Sequence, residues 1–162
     1  MSNENASDWY QRIQAWLTEE ELPVGDITNF KHDYEFLITV TPAQIAIIKP
    51  KERNKILIAF QVTLPPHDQQ TYAQLDDSIK NNFIVNLTKD SLLIGLFPNF
   101  QPSTPTVSLT SVEFTSTIYM DNFSKSKLFE EIDRMKRSYA VLMLNLEKFI
   151  PKFKPMDDSK LV

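Results

Sequence analysis

The feature that most constrains this chain is the stretch 122–150, NFSKSKLFEEIDRMKRSYAVLMLNLEKFI. Leu128, Ile132, Met135, Tyr139, Leu142, Leu146 and Phe149 recur there at steps of four and three. That spacing aligns them along one side of a helix about 40 Å long at a rise of about 1.5 Å per residue. An apolar stripe of this length must be covered, so the remaining segments have to supply a surface for it. An intermolecular coiled coil is one way to cover it. Met135, Tyr139 and Phe149 depart from the Leu and β-branched pattern that fixes such a dimer, and Phe129, Met143 and Ile150 add a third apolar row. A stripe of that width suits a helix lying across a sheet of its own chain. If Ser124 is the N-cap, Phe123 and Leu128 stand at the positions of a hydrophobic staple. Glu130 with Arg134 and Asp133 with Arg137 occupy i, i+4 positions on the outer face.

The preceding segments alternate between helical and strand periods. WYQRIQAWL turns Trp9, Ile13, Trp16 and Leu17 inward on a first helix that starts at Asn5 or Ser7 and ends near Glu20, ahead of Pro23 and Gly25. Glu19, Glu20 and Glu21 have the wrong sign for a helix C-terminus and read as a solvated, slightly frayed end. Residues 27–30 are a weak strand candidate. Residues 34–40 alternate, with Tyr34, Phe36, Ile38 and Val40 on one side, and 45–48 are a β-branched run after Pro42. In KILIAFQVTL, Ile56, Ile58, Phe60, Val62 and Leu64 share one face. The charged turn 51–54 is too short for a parallel crossover, so these strands form an antiparallel meander.

From Asp68 into the high eighties the period is helical, with Tyr72, Leu75, Ile79 and Phe83 in step, and Pro66 just ahead of the start. DSLLIGLF, residues 90–97, reads as a strand apolar on both faces, Leu92, Ile94 and Leu96 on one and Leu93 and Phe97 on the other. PNFQPSTP reads as a loop. Residues 106–120 read as a last strand whose apolar phase slips between Leu109 and Val112, which requires a bulge or break at Thr110 or Ser111. Thr115, Thr117 and Tyr119 then face outward, and Asp121 turns the chain into the long helix. The fold class is α+β, an antiparallel sheet of five to six strands with helices packed on it. Residues 1–150 are expected to be one domain and 151–162 a mobile tail.

Composition narrows the chemistry. No cysteine occurs among the 162 residues, so a disulfide, a thiolate nucleophile and a cysteine-ligated zinc are excluded. Gly25 and Gly95 are the only glycines, against ten prolines. Phosphate-cradling loops and dinucleotide turns need more of them, because the backbone must approach a pyrophosphate closely. The net charge of −4, with seventeen basic residues scattered among twenty-one acidic ones, speaks against nucleic acid as a partner. The start MSNENASDW has neither the basic nor the apolar region of a secretion signal, and no run approaches the ~18 apolar residues that span a bilayer. A cytoplasmic protein with no membrane partner is the expectation.

Two histidines are present. His32 lies beside Asp33 and near Asp26, but no spaced ligand signature accompanies it, so it is expected to be an exposed turn residue. His67, beside Asp68, is expected to make a local hydrogen bond at a helix start. Asp76 with Asp77 and Asp157 with Asp158 are adjacent pairs; helical neighbours point about 100° apart, so both pairs read as solvated surface. No G-x-S-x-G elbow or P-loop lysine occurs. Trp9, Trp16, Phe60, Phe83 and Phe114 fall at core spacing. No catalytic, cofactor or metal residue is assigned on these grounds. The alternative is an enzyme or small-ligand protein with a pocket between sheet and long helix, using His32 or Asp121.

The helix WYQRIQAWLTEEELPV, the hairpin IAIIKPKERNKILIAF and the junction IYMDNFSKSKLFEEIDRMKRSYAVL, where a strand turns directly into the last helix, resemble the type III secretion chaperone-like fold. Within it they resemble small archaeal proteins and YbjN-type bacterial proteins with the same order of elements. The resemblance implies an acidic cytosolic protein that binds another polypeptide, commonly as a homodimer joined through the second helix and the neighbouring strand. Ile79 and Phe83 on that helix, with Leu93 and Phe97 on that strand, are then the candidate partner or dimer surface. Secretion itself is not implied, and the resemblance brings no catalytic residues.

Overall fold

A computed structural model describes residues 6–26, 34–41 and 43–153. Among them the elements run α1 (Ala6–Glu19), β1 (Val24–Asp26), β2 (Tyr34–Val40), β3 (Ile45–Pro50), β4 (Lys55–Thr63), α2 (Pro66–Ala73), α3 (Asp77–Ile94), β5 (Asn99–Gln101), β6 (Ser111–Tyr119) and α4 (Lys125–Phe149), with a 3-10 turn, Met120–Asn122, ahead of α4. The strands form one six-stranded sheet in the order β1-β2-β3-β4-β6-β5. Neighbouring strands are antiparallel, Leu37 opposing Ile48 and Ile48 opposing Leu57 across the meander, and Phe100 opposing Val112 at the β5 edge. Leu64 N–H donates to the Thr110 carbonyl (2.8 Å) and Met120 N–H to that of Asn54 (3.1 Å), which makes the β4–β6 pairing antiparallel too. The fold is α+β, as the periodicities predict.

The chain divides into two compact units, Met1–Phe60 with Thr115–Met135 and Gln61–Phe114 with Lys136–Val162. In the first, alternation buries Phe36, Ile38 and Val40 of β2, Ile45 and Ile47 of β3, and Ile56, Ile58 and Phe60 of β4. Ile13 and Leu17 of α1 and Leu128, Ile132 and Met135 of α4 are buried as well. The start of α4 follows its sequence signals closely. Ser124 Oγ accepts from Lys127 N–H (3.2 Å) and the Ser124 carbonyl from Leu128 N–H (2.9 Å), the arrangement of an N-cap. Phe123 and Leu128 are both buried, and the Phe123 ring meets Trp9 edge-on at 5.1 Å and Trp16 at 6.0 Å. The staple thus also anchors α1.

The acidic end of α1 is not simply solvated. Lys125, in the first turn of α4, bonds Glu19 at 2.8 Å and Glu20 at 3.0 Å, and these two carboxylates hold the ammonium pKa above its ordinary value. A buried carboxylate, Glu131, accepts from Ser116 Oγ (2.7 Å) and lies against Lys127 (3.1 Å) and Arg134 (3.2 Å), which compensates its desolvation. Glu130 bonds Arg134 at 3.4 Å as the i, i+4 spacing predicts.

Tyr34 departs from its expected side. Tyr34 opposes Pro50 while Phe36 opposes Lys49, so Glu35 is an extra residue, a β-bulge. The slip moves Tyr34 off the face of Phe36 and Ile38 and sets it beside Pro50 on the other. The first strand also lies earlier than the candidate at 27–30, which falls outside the described residues, as does Pro42.

In the second unit the expected single helix is two. Asp76 is extended (φ −61°, ψ 147°) and interrupts the helical period; its carbonyl accepts from Ile79 and Lys80 N–H to start α3. The buried Lys80 ammonium donates to the Ala73 carbonyl (3.0 Å), satisfying the end of α2. Phe83 is fully buried, its ring 5.8 Å from Tyr72, 6.4 Å from Phe100 and 5.9 Å from Phe149. Leu142 and Leu146 of α4 are buried, Tyr139 and Phe149 half-buried, and the stripe is covered within the chain. Asn145 donates to Asp90 Oδ2 (3.1 Å), a polar link between α4 and α3.

The expected strand at 90–97 is instead the end of α3. Leu96 N–H donates to the Ser91 carbonyl (3.1 Å) and Gly95 N–H to that of Leu92 (3.0 Å), a Schellman motif closed by Gly95 at φ 84°. A short apolar run fits either a strand or a buried helix end, and here the glycine decides. Within the expected loop, Asn99–Gln101 pairs with β6 as an edge strand, and the Gln101–Pro102 peptide is cis. The anticipated break at Thr110 or Ser111 is where β6 begins, since residues 105–107 form a turn. Of the expected tail, 154–162 lie outside the described residues.

Tyr72 carries a pH prediction. Its hydroxyl donates to the Pro105 carbonyl (2.7 Å), and burial pushes the phenol pKa from 10.0 up to about 12. The unfolded phenol ionises first, so its contribution is complete below pH 10 and is lost as pH rises towards 12. Urea unfolding followed from pH 9 to pH 12 should show Tyr72→Phe less stable at the lower end but with a shallower alkaline decline than the wild type.

Candidate functional site

Exposed apolar side chains gather on α3 and the turn after it. Val85 and Leu92 lie seven residues apart, close to the same angular position on a helix of 3.6 residues per turn, with Leu93 beside them and Phe97 just past the Gly95 turn. Their exposures are 50% for Val85, 49% for Leu92, 89% for Leu93 and 64% for Phe97. The opposite face of the helix is buried through Lys80, Phe83, Leu87 and Ser91. The Schellman turn separates Leu96, which is buried, from Leu93 and Phe97, which are not. A clustered apolar face on a well-capped helix end has the character of a contact surface.

Of the residues named from sequence, Leu93 and Phe97 meet on this surface, though on a helix end and the turn beyond it rather than on a strand. Phe83 does not belong to it. The 3.6-residue period carries Phe83 to the inward side of α3, where it fills the aromatic cluster, so its place is in the core. Ile79 is half-buried in the first turn of α3, far along the helix from Leu93. Val85 and Leu92 were missed. Their signal, two apolar residues seven apart on the face opposite Phe83 and Leu87, emerges once 90–94 is assigned to the helix.

The polar candidates are scattered. His67 is exposed and its Nδ1 lies 3.4 Å from Asp68 Oδ1, the local interaction expected at a helix start. Asp121 is exposed in the 3-10 turn and accepts from Asn54 Nδ2 (3.2 Å). Asp76 and Asp77 are exposed at the α2–α3 junction. His32 and Asp33 lie outside the described residues, as do Asp157 and Asp158. No group of three or more His, Asp or Glu among the described residues is arranged to hold a metal ion. No described helix is long and apolar enough to cross a membrane.

A concave feature lies at the β3–β4 hairpin, an open groove of about 640 Å³ lined by Tyr34, Pro50, Lys51, Glu52, Arg53, Lys55 and Leu57. It owes its aromatic wall to the Glu35 bulge.

Residues 9–146 match the family described as uncharacterized conserved protein (DUF2299). The chain belongs to this family. Among solved structures, that of an uncharacterized protein from Methanothermobacter thermautotrophicus is similar at 24% identity and a TM-score of 0.71, covering 86% of this chain and 97% of that one. YbjN from E. coli is similar at 12% identity and a TM-score of 0.49, over 86% of this chain and 93% of its own. The archaeal likeness is one of fold, with both chains matched over nearly their full lengths. No curated protein matches the chain.

Proposed function

We propose that this DUF2299 member is a non-enzymatic protein-binding module of the type III secretion chaperone-like kind, acting in the cytoplasm as a homodimer through the outer face of α3. The observation that carries this reading is the exposure of Val85 at the middle of α3 and of Leu92, Leu93 and Phe97 at its end and the turn beyond, on a helix whose other face is core. Burial of these side chains against a second copy removes apolar area from water, which drives association. Asn81, Asn82 and Lys89, exposed along the same face, supply a polar border.

Size-exclusion chromatography with light scattering tests it. The wild-type chain should run as a dimer at micromolar concentration, and Leu93→Asp with Phe97→Asp should run as a monomer with unchanged circular dichroism and Tm. A wild-type monomer across that range, or a double variant that stays dimeric, removes the proposal.

A further inference from the structure

We infer that the β3–β4 hairpin groove of the first unit is a second binding site, one that takes an acidic polypeptide segment carrying apolar side chains. The site is separate from the α3 face in sequence and residues, and the inference stands independently of the dimer.

Three observations carry it. Lys51, Arg53 and Lys55 stand on one hairpin within five residues of a chain whose net charge is −4. Among the described residues none of the three is paired with a carboxylate, whereas neighbouring Lys49 is fully engaged, with Glu35 at 3.2 Å and the carbonyls of Arg53 at 2.7 Å and Pro50 at 3.2 Å. Among the described residues of the lining Glu52 is the one acidic side chain, beside three cations.

The second observation is the floor. Pro50 and Leu57 lie on the face of β3 and β4 opposite to the buried Ile47, Ile56 and Ile58, and Tyr34 joins them through the bulge. Third, the apolar floor continues past the groove. Leu57 opposes Ile48 and Ile48 opposes Leu37, so a half-exposed apolar row crosses three strands from the cationic end.

A compact anion such as phosphate would use the cations alone, and small-ligand sites enclose most of their ligand. This groove is open and runs into an apolar row. An extended segment that places carboxylates on Lys51, Arg53 and Lys55 and aliphatic side chains over Leu57 and Ile48 uses both halves. The alternation suits a strand, whose successive side chains point to opposite sides, or a turn followed by an apolar pair.

Fluorescence anisotropy with a fluorescein-labelled alternating Asp–Leu peptide tests the assignment, with an alternating Lys–Leu peptide and inorganic phosphate as comparators. The Asp–Leu peptide should bind the wild-type protein and weaken as salt is raised. Lys51→Gln, Arg53→Gln and Lys55→Gln together should weaken it roughly tenfold or more, as loss of several charge-assisted contacts implies. Leu57→Ser should weaken it with the cations intact, and the monomeric α3 variant should bind as the wild type does. No binding of the Asp–Leu peptide, equal binding of the Lys–Leu peptide, an unaffected triple variant with native circular dichroism, or full displacement by millimolar phosphate would each overturn the inference.

Discussion

Replacing Phe83 by Ala should lower the unfolding free energy by about 3–5 kcal/mol, the range for emptying a buried aromatic site. The side chain has no exposure, and its ring makes edge contacts with Tyr72 of α2, Phe100 of β5 and Phe149 of α4. Such aromatic pairs add stability beyond their buried area. Four separate elements of the second unit therefore lose a shared packing centre. Urea unfolding monitored by circular dichroism gives the loss as a reduced midpoint with little change in slope. Phe83→Leu, which retains much of the volume, should cost well under half as much. The comparison also separates core from surface, because a surface anchor at this position would weaken self-association and leave the midpoint nearly unchanged.

Phe123→Ala should cost about 3 kcal/mol and carry its own optical signature. Phe123 is 9% exposed and lies against both tryptophans of the chain, Trp9 at 5.1 Å and Trp16 at 6.0 Å. Removing the ring opens a space beneath α1 and takes away the residue that fixes the angle at which the chain enters α4. Tryptophan emission should shift to the red in the folded variant, before any denaturant is added, since both indoles gain water contact. Ser124→Ala isolates the cap, and its expected cost is about 1 kcal/mol with no spectral shift. An unshifted emission maximum for Phe123→Ala would mean that the indoles do not depend on the staple.

Much of this architecture was legible because the strongest patterns were long or had a unique physical solution. The 122–150 stripe and the alternation of 36–38 and 56–60 each have one periodicity and a more exposed opposite side, and the Ser124 cap with its Phe123–Leu128 staple is a local motif. The phase slip between Leu109 and Val112 marked a real boundary, the start of β6 at Ser111, although residues 105–110 are not the first half of that strand. What misled was the apolar run 90–94, where Leu92, Leu93 and Ile94 are apolar in every direction and carry no period. Gly95 held the answer, for a glycine after such a run ends a helix with φ > 0 as readily as it breaks a strand. Once the run is helical, the candidate surface changes membership, with Phe83 turning inward and Val85 and Leu92 turning out.

Other features were hidden because they depend on partners distant in sequence. Lys125 reaches Glu19 and Glu20 across more than a hundred residues, and Glu131 finds Ser116 from the neighbouring strand. Neither carboxylate cluster has a local pattern that announces its cation. The hairpin groove was half visible: Lys51, Arg53 and Lys55 could be read as a charged turn, but the face on which Tyr34 stands could not, because alternation alone counts Glu35 as an ordinary strand residue.

The bulge at Glu35 has a further implication for how this surface can vary. Tyr34 walls the groove because of a count of residues, and its own chemistry has no part in choosing the face. Adding a single regularly paired residue between Tyr34 and Phe36 would shift Tyr34 by one place and move the phenol to the opposite side of the sheet, while Pro50, Leu57 and the three cations stayed where they are; losing Glu35 would instead straighten the strand with Tyr34 still opposite Pro50. A chain of this fold with one more residue at this point would display a differently walled groove on the same scaffold, so added length here, more than substitution, changes the shape of this surface.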